Sequence, residues 1–246
     1  MRLAIFSDIH GNLEALEAFV AHATQQRIDR YMCLGDIVGY GANPNECIDL
    51  IRSLPKINVV LGNHDSAAVW LTSPYAMQKE ATEAILWTMG QLTKSHADFL
   101  KNLKPTIQMQ DMIFSHANAY NPLAWRYVID RKYAARSFSG TREKLQFIGH
   151  SHSPLVITRK HLFKLVFRVP EDSKLASVVT HQRQIINCGS IGQPRDGNPM
   201  ACYSIYDTLS AKVEFHRFSY DFEAAGEKII RAGLSRYLAR RLKKGR

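Results

Sequence analysis

Short apolar runs recur along the first 150 residues of the chain, and each has the length of a buried β-strand. The runs cover residues 3–6, 31–34, 57–61, 112–114 and 145–148, and a further strand is predicted over 106–110. Between them, apolar residues recur at three- and four-residue spacing, which predicts helices over 13–26, 44–53 and 130–138. Helices are also predicted across 66–103, with breaks near Ser73-Pro74 and Gly90. This alternation of strands and helices is typical of an α/β protein.

The pattern changes after Pro154, where apolar and polar positions alternate with a period of two. This predicts strands over 155–158, 161–169, 183–186, 201–206 and 212–217, with turns that favour antiparallel pairing. Helices over 222–231 and 235–243 close the chain, with Gly233 between them. Because no repeat or low-complexity linker interrupts the pattern, we expect residues 1–246 to form a single domain.

Composition narrows the class of protein. The chain has 246 residues, of which 46% are hydrophobic and 22% charged, as expected for one globular core. No apolar run approaches the roughly 20 residues that a membrane helix needs. No basic-then-apolar leader begins the sequence. The four cysteines form no CxxC pair and are expected to be small buried hydrophobes in a reducing compartment. We therefore expect a cytoplasmic protein without membrane contact.

The net charge of +10 raises the question of nucleic acid binding. Residues 235–246 carry six cations and no acid, so the rest of the chain accounts for only +4 of that total. A charged tail of this kind is more typical of a solvated helix end than of a binding device. Nucleic acid is therefore a partner that the sequence allows but does not favour.

Five of the apolar runs end in residue types that bind metals. These residues are Asp8 and His10, Asp36, Asn63 and His64, His116, and His150 and His152. Taken singly, each has an ordinary structural explanation, such as Asp8 capping a helix. Together they would require five independent coincidences, each at the carboxyl end of a strand, which is where open α/β sheets bind ligands.

These residues suit a pair of divalent transition metals, which lie about 3.5–4 Å apart in sites that displace groups at phosphorus. Asp36, central in the set, is our choice for the bridging carboxylate. Only Asp8 and Asp36 supply negative charge, so the surplus positive charge favours phosphate oxygens and a hydroxide formed near neutral pH. His64 would give the leaving oxygen its proton, and Asp65 would help to hold His64 protonated.

The motifs resemble those of the calcineurin-like metallophosphoesterase superfamily. They are Asp8-x-His10, Gly35-Asp36, Gly62-Asn-His-Asp65, Ser115-His116 and Gly149-His-Ser-His152. Gly189-Ser190 and Gln193-Pro-Arg-Asp-Gly197 are similar to a C-terminal signature of its small bacterial and archaeal phosphodiesterase branch. The resemblance covers most of the chain.

The resemblance implies a four-layer α/β/β/α sandwich built on two mixed sheets. It also implies that Asp8, His10, Asp36 and His152 hold one metal. Asp36, Asn63, His116 and His150 would hold the other, and His64 would face the phosphate. The metals would be two divalent ions drawn from Mn, Fe, Ni, Co and Zn.

One departure from the superfamily's pattern is informative. Its protein Ser/Thr phosphatases carry a phosphate-binding arginine where this chain has Tyr40, which argues against a protein phosphatase. Arg195 either supplies a cation in its place, beside the substrate-binding Asn63 and His64, or is a surface charge. Aromatic residues in 117–127 form either a lid or a packed loop.

We therefore expect a metal-dependent phosphoesterase that hydrolyses phosphodiester bonds of a small phosphorylated substrate, with phosphomonoesters as a second class. The alternatives are a nuclease, which rests on the basic tail, and a non-catalytic scaffold. The scaffold is less favoured because no ligand of the motif set is missing.

Overall fold

The computed structural model describes residues 1–161, 164–170, 175–177 and 182–246, with 175–177 described by their backbone. The strand predicted over 161–169 therefore falls partly outside the described residues, and His181 falls wholly outside them. Within the described part of the chain, no helix has the length and apolarity needed to cross a membrane.

Twelve strands are present among the described residues. They are β1 (Arg2–Phe6), β2 (Arg30–Cys33), β3 (Ile57–Val59), β4 (Thr106–Met109), β5 (Met112–Ser115), β6 (Leu145–Ile148), β7 (Leu155–Arg159), β8 (Leu165–Arg168), β9 (Leu175–Ser177), β10 (Arg183–Asn187), β11 (Ala201–Asp207) and β12 (Lys212–Phe218). One sheet has the order β3-β2-β1-β11-β12-β9, and the other has the order β4-β5-β6-β10-β7-β8. Parallel pairs join β1 to β2 and β2 to β3 in one sheet, and β6 to both β5 and β10 in the other. The remaining pairs are antiparallel, so both sheets are mixed, as predicted.

Eight α-helices are present among the described residues. They are α1 (Leu13–Thr24), α2 (Pro44–Ser53), α3 (Asn63–Ala68), α4 (Lys79–Gln91), α5 (Lys94–Lys101), α6 (Arg131–Gly140), α7 (Phe222–Arg231) and α8 (Arg236–Lys244). Several begin at polar side chains that accept the hydrogen bond of a free backbone N–H, as Asn12, Asp130 and Asp221 do. The break predicted near Gly90 is confirmed. Gly90 lies in the last turn of α4, which ends at Gln91, and Thr93 caps α5.

Alternating side chains of β1 show how the layers are built. Ala4 and Phe6 face the core shared with the helices, whereas Leu3 and Ile5 face the core between the two sheets. On the outer face of the second sheet, α6 covers a third core that includes Phe138. The predicted four-layer α/β/β/α sandwich is confirmed. Its parallel strands β1, β2 and β3 bring the first predicted ligands to one edge, where those that follow β5 and β6 join them.

Candidate metal centre

The predicted ligand side chains meet at the carboxyl ends of the strands from both sheets. Their buried nitrogen and oxygen atoms form three groups, each with all atoms within 4.8 Å of one another. The groups are Asp8-His10-His152, His10-Asp36-His64 and Asp36-His116-His150. Asn63 joins the third group, because its Oδ1 lies 3.0 Å from His116 Nε2. Residues far apart in the sequence thus form one continuous cluster.

The backbone at this cluster is held in an uncommon conformation. Five of the cluster residues have positive φ angles, namely Asp8 (57°), His10 (53°), Asp36 (53°), His150 (65°) and His152 (58°). Residues other than glycine rarely adopt this left-handed region, and such strain persists where the surrounding structure enforces it, often at functional sites. Hydrogen bonds between neighbouring loops enforce it here. The N–H groups of Asp8 and His10 donate to the Gly35 and Asp36 carbonyls at 3.1 and 2.9 Å.

Each of the four imidazoles expected to bind metal is supported by a backbone carbonyl. The pairs are His10 Nδ1 with Val38 O (3.2 Å), His116 Nδ1 with Leu34 O (2.8 Å), His152 Nδ1 with Gln193 O (2.6 Å) and His150 Nε2 with Trp125 O (3.0 Å). A carbonyl oxygen only accepts hydrogen bonds, so the ring nitrogen facing it carries the proton. When the ring is neutral, the opposite nitrogen therefore presents its lone pair to the cluster, which is the arrangement found in metal-binding histidines.

The inner atoms of the cluster lie close together. His10 Nε2 lies 3.2 Å from His152 Nε2, and His116 Nε2 lies 3.0 Å from His150 Nδ1. Asp8 Oδ1 is buried, has no hydrogen-bond partner in the described part of the chain, and lies 3.3 Å from His152 Nε2. A buried, unpartnered carboxylate oxygen among imidazole lone pairs is costly unless a cation binds there. The residues present therefore fit divalent metal ions that accept nitrogen and oxygen ligands.

Asp36 lies between the two ends of the cluster. Its Oδ2 is 3.7 Å from His10 Nε2 and 3.3 Å from His116 Nε2. Its Oδ1 accepts a hydrogen bond of 2.8 Å from the backbone N–H of His64. One carboxylate thus reaches both imidazole pairs, which is the position that a bridging ligand needs.

The pKa values of the cluster follow from burial and close charges. Burial raises the pKa of Asp8 to about 7. Burial also acts to raise the pKa of Asp36, but His116 and His64 outweigh it and hold that pKa well below its usual value. For His116, burial is outweighed by Asp36, and the pKa rises to about 9. Burial lowers the pKa of His150 to about 3. Protons on Asp8 and His116 must leave when a metal binds, because ligands bind metals in deprotonated form.

His64 differs from the other imidazoles of the cluster. Its Nδ1 is buried with no hydrogen-bond partner among the described residues, and no backbone carbonyl supports its ring. The ring packs edge-on against His10 at a centroid distance of 4.7 Å and against Tyr40 at 4.5 Å. Burial lowers the pKa of His64 to about 4, an effect that Asp36 opposes and that Arg195 and Arg241 increase. The ring is therefore neutral near pH 7 in this structure.

Asp65 makes contacts other than the one expected from the sequence. Its carboxylate accepts hydrogen bonds from the backbone N–H groups of Ile37 (2.8 Å), Val38 (3.1 Å) and Gly62 (3.1 Å). No hydrogen bond joins it to the ring of His64. Asp65 therefore ties the loop after β2 to the start of α3. Asp65 was expected to stabilise a protonated His64, but no hydrogen bond joins the two side chains.

Gly62 lies where the loops after β2 and β3 meet. Its φ angle is −94°, an ordinary value that does not itself require glycine. A Cβ atom at Gly62 would instead overlap the backbone nitrogen and Oδ1 of Asp36. Glycine is required here for the close approach of the two loops.

An open cavity of about 560 Å³ lies over the cluster. Its lining includes Asp36, Asn63, His64, His150 and His152. Trp125 and Tyr127 also line it, and Tyr127 stacks on His150 with a centroid distance of 4.2 Å. In this structure the aromatic part of 117–127 is thus packed against a cluster imidazole.

Two arginines complete the cavity, and only one of them was expected. Arg195 lines it and donates hydrogen bonds through Nε and Nη2 to Gln193 Oε1 at 3.2 and 2.7 Å. Arg241 of α8 lines the same cavity, although the sequence suggested that the basic tail is a solvated helix end. The four-residue spacing of Leu238 and Leu242 was the available signal, because it places both leucines on one side of a helix. In the structure both are buried, and this side of α8 faces the protein.

Comparisons with known proteins agree with this geometry. The sequence profile of the calcineurin-like phosphoesterase superfamily domain matches residues 1–211. The uncharacterized protein MJ0912 of Methanocaldococcus jannaschii is 40% identical over 99% of this chain and 98% of its own length. A metallophosphoesterase from Sphaerobacter thermophilus is 37% identical and superimposes with a TM-score of 0.90 over 100% of this chain and 99% of its own.

A more distant solved structure shares the fold. The hypothetical protein PH1004 of Pyrococcus horikoshii OT3 is 18% identical, with a TM-score of 0.81 over 100% of this chain and 98% of its own. The sequence profile, the close relatives and the fold are mutually consistent. The chain belongs to the calcineurin-like phosphoesterase superfamily.

Proposed function

We propose that this protein is a hydrolase that uses two divalent metal ions to cleave phosphodiesters of small molecules. The observation that carries the proposal is the set of four imidazoles whose outer nitrogens donate to backbone carbonyls. Their inner nitrogens surround two buried carboxylates, Asp8 and Asp36. Membership in a metal-dependent phosphoesterase family supports the hydrolase class.

The arrangement of donors supports two metal positions that share Asp36. Asp8, His10, Asp36 and His152 would hold one ion, and Asp36, Asn63, His116 and His150 would hold the other. Bound divalent ions would supply Lewis acidity toward phosphate oxygens and lower the pKa of a bound water molecule. Mn, Fe, Ni, Co and Zn all accept this mixture of nitrogen and oxygen ligands, so the donor set alone does not select among them.

The protein's own side chains would orient the phosphate and deliver a proton to the leaving oxygen. The Asn63 amide and the His64 ring line the cavity beside Asp36, where the scissile phosphate would lie. His64 is neutral by itself, but an anionic phosphate beside it stabilises the imidazolium and raises its pKa. His64 would then give its proton to the leaving oxygen, while Asp65 fixes the loops on either side of Asp36.

The cavity supports a small substrate and a diester. Its volume of about 560 Å³ is typical of small-molecule sites. Tyr40 occupies the position where the related protein phosphatases carry an arginine, and its ring packs on His10 at a centroid distance of 4.8 Å. The aromatic wall of Trp125 and Tyr127 offers an apolar surface to an alcohol group of a diester.

A substrate panel tests this proposal. Protein stripped of metal with a chelator and reloaded separately with Mn²⁺, Fe²⁺, Ni²⁺, Co²⁺ or Zn²⁺ should hydrolyse bis(nitrophenyl) phosphate faster than nitrophenyl phosphate. A phosphoserine peptide should be a poor substrate. Faster turnover of the peptide would indicate a protein phosphatase.

Two further outcomes would contradict the proposal. Preferred cleavage of a single-stranded oligonucleotide, with a steep dependence on salt, would indicate a nuclease. No turnover with any metal or substrate would favour a non-catalytic scaffold.

A further inference from the structure

The C-terminal helix α8 forms part of the wall of the cavity above the metal-ligand cluster. Its buried residues Leu238 and Leu242 anchor it to the protein, and the neighbouring Tyr237 and Arg241 line the cavity. Arg240, the residue just before Arg241, is exposed. The helix therefore directs one particular cation, and not the tail charge in general, toward the site.

Arg241 and Arg195 meet at the ring of Tyr40. The guanidinium carbons of both arginines lie 5.8 Å from the centroid of this ring. The same ring packs 4.8 Å from His10 and 4.5 Å from His64, centroid to centroid. One aromatic ring is therefore in contact with both guanidiniums and with two imidazoles of the cluster.

Both arginines donate hydrogen bonds to residues close to them in the sequence. Arg195 donates to the side-chain amide of Gln193, and Arg241 Nε donates to the main-chain oxygen of Arg246 at 2.6 Å. Among the described residues, no side-chain carboxylate forms a salt bridge with either one. Glu80 lines the same cavity but pairs with neither guanidinium. Two partly buried cations side by side repel each other, and an anion between them removes that cost.

We propose that Arg241 and Arg195 form a second anion subsite, and that the preferred substrate is a small phosphodiester carrying an additional phosphate group. The scissile phosphate would lie at the metal-ligand cluster, and the additional phosphate would lie across Tyr40 between the guanidiniums. This inference deepens the proposed function and rests on it. Guanidinium groups suit this role, because their planar forks match phosphate oxygens.

A pair of substrates that differ in one phosphate isolates the subsite. Thymidine 5′-(nitrophenyl phosphate) and its 3′-phosphorylated derivative share the reacting diester and the leaving group. The wild-type protein should have a KM at least about tenfold lower for the 3′-phosphorylated compound, as a charge-assisted hydrogen bond provides. The gain should appear mainly in KM, because the additional phosphate is remote from the reacting phosphorus.

Arg241→Gln tests the residue, and Arg240→Gln is the matched control. Both changes remove one positive charge from the same helix. Arg241→Gln should reduce the preference for the 3′-phosphorylated compound about 10–100-fold, while Arg240→Gln should leave it unchanged. Arg241→Lys keeps the charge and should restore part of the preference. Thermal unfolding of each variant separates a loss of binding from a loss of folding.

Several results would overturn the inference. Equal effects of Arg241→Gln and Arg240→Gln would mean that only long-range charge matters. Equal losses on both substrates would mean that Arg241 serves the scissile phosphate or the fold. Affinity that rises steadily with oligonucleotide length would point to a nucleic acid instead of a small molecule.

A binding measurement distinguishes failure of this inference from failure of the proposed function. Calorimetric titration with thymidine 3′,5′-bisphosphate and with thymidine 5′-monophosphate requires no turnover. If no phosphoester is cleaved but the bisphosphate binds more tightly in an Arg241-dependent way, the subsite stands and the proposed hydrolase does not. If the diester is cleaved but the additional phosphate adds no affinity, the subsite is refuted.

Discussion

At the scale of single residues, the hydrogen bond made by one ring nitrogen distinguishes the histidines expected to bind metal from His64, the candidate proton donor. His116 and His150 each use one nitrogen to donate to a backbone carbonyl and direct the other into the cluster. His64 lies in the same cluster, but its buried Nδ1 has no hydrogen-bond partner among the residues that the structure describes. Its position beside Asn63 in the sequence suggested a different role from the other histidines, but only the structure shows that its ring lacks the backbone carbonyl that supports the others.

His64→Ala tests the role of this residue as a proton donor. An alkoxide leaves poorly unless it is protonated as the bond breaks, whereas a nitrophenolate needs little help. The substitution should therefore slow hydrolysis of an alkyl phosphodiester by about 10²–10⁴-fold and that of a nitrophenyl diester much less. Steady-state rates on the two substrates, with metal content measured in parallel, provide the check.

The exposed His161 provides a control for that experiment. His161→Ala should change neither rate. Equal losses on both substrates in His64→Ala would mean that His64 positions the phosphate without delivering a proton. Loss of a metal ion would mean that His64 is a ligand, in conflict with our assignment.

At the scale of elements, the strands position the metal-ligand cluster, because β1, β2 and β3 run parallel and their carboxyl ends lie at one edge of the sheet. The apolar runs made these strands predictable, and with them the positions of Asp8 and Asp36. The carbonyls that orient the imidazoles were not predictable, because every residue has one and its direction depends on the loop conformation. The short strand β9 was missed, and β10 pairs parallel with β6, although the pattern after Pro154 favoured antiparallel pairing.

The glycine after β3 offers a test of the contact between two of these loops. A Cβ at Gly62 would overlap Asp36, so Gly62→Ala should displace the bridging carboxylate and lower the content of both metals. Overpacking of this kind should also cost about 1–3 kcal/mol of stability. Elemental analysis and urea unfolding measure the two effects.

Gly90 is the matched control for this substitution. A Cβ at Gly90 meets no atom within 4 Å, and the residue lies inside α4. Gly90→Ala should therefore retain both metals and stabilise the protein by about 0.5–1 kcal/mol. If Gly62→Ala kept its full metal content and activity, the contact with Asp36 would not control the site.

At the scale of the whole molecule, the helix layer contributes to the site as well as to the core. The sandwich was predictable from the motif resemblance, and the position of the tail was not. Composition showed six cations near the C-terminus, but only packing decides that Arg241 faces the cavity and Arg240 faces solvent. Counting charges along a sequence cannot show which surface each charge faces, because the direction of each side chain depends on how its helix packs against the protein.

The central claim is a pair of metal ions that share Asp36, and metal stoichiometry tests it most directly. Fully active protein, reloaded with Mn²⁺ and freed of excess ion, should contain two ions per chain by elemental analysis. Asp36→Asn should lower occupancy at both positions, because the bridge loses its charge. The control Asp111→Asn changes an exposed carboxylate and should retain both ions. One ion per fully active chain, or an Asp36→Asn protein that retains two, would contradict the account.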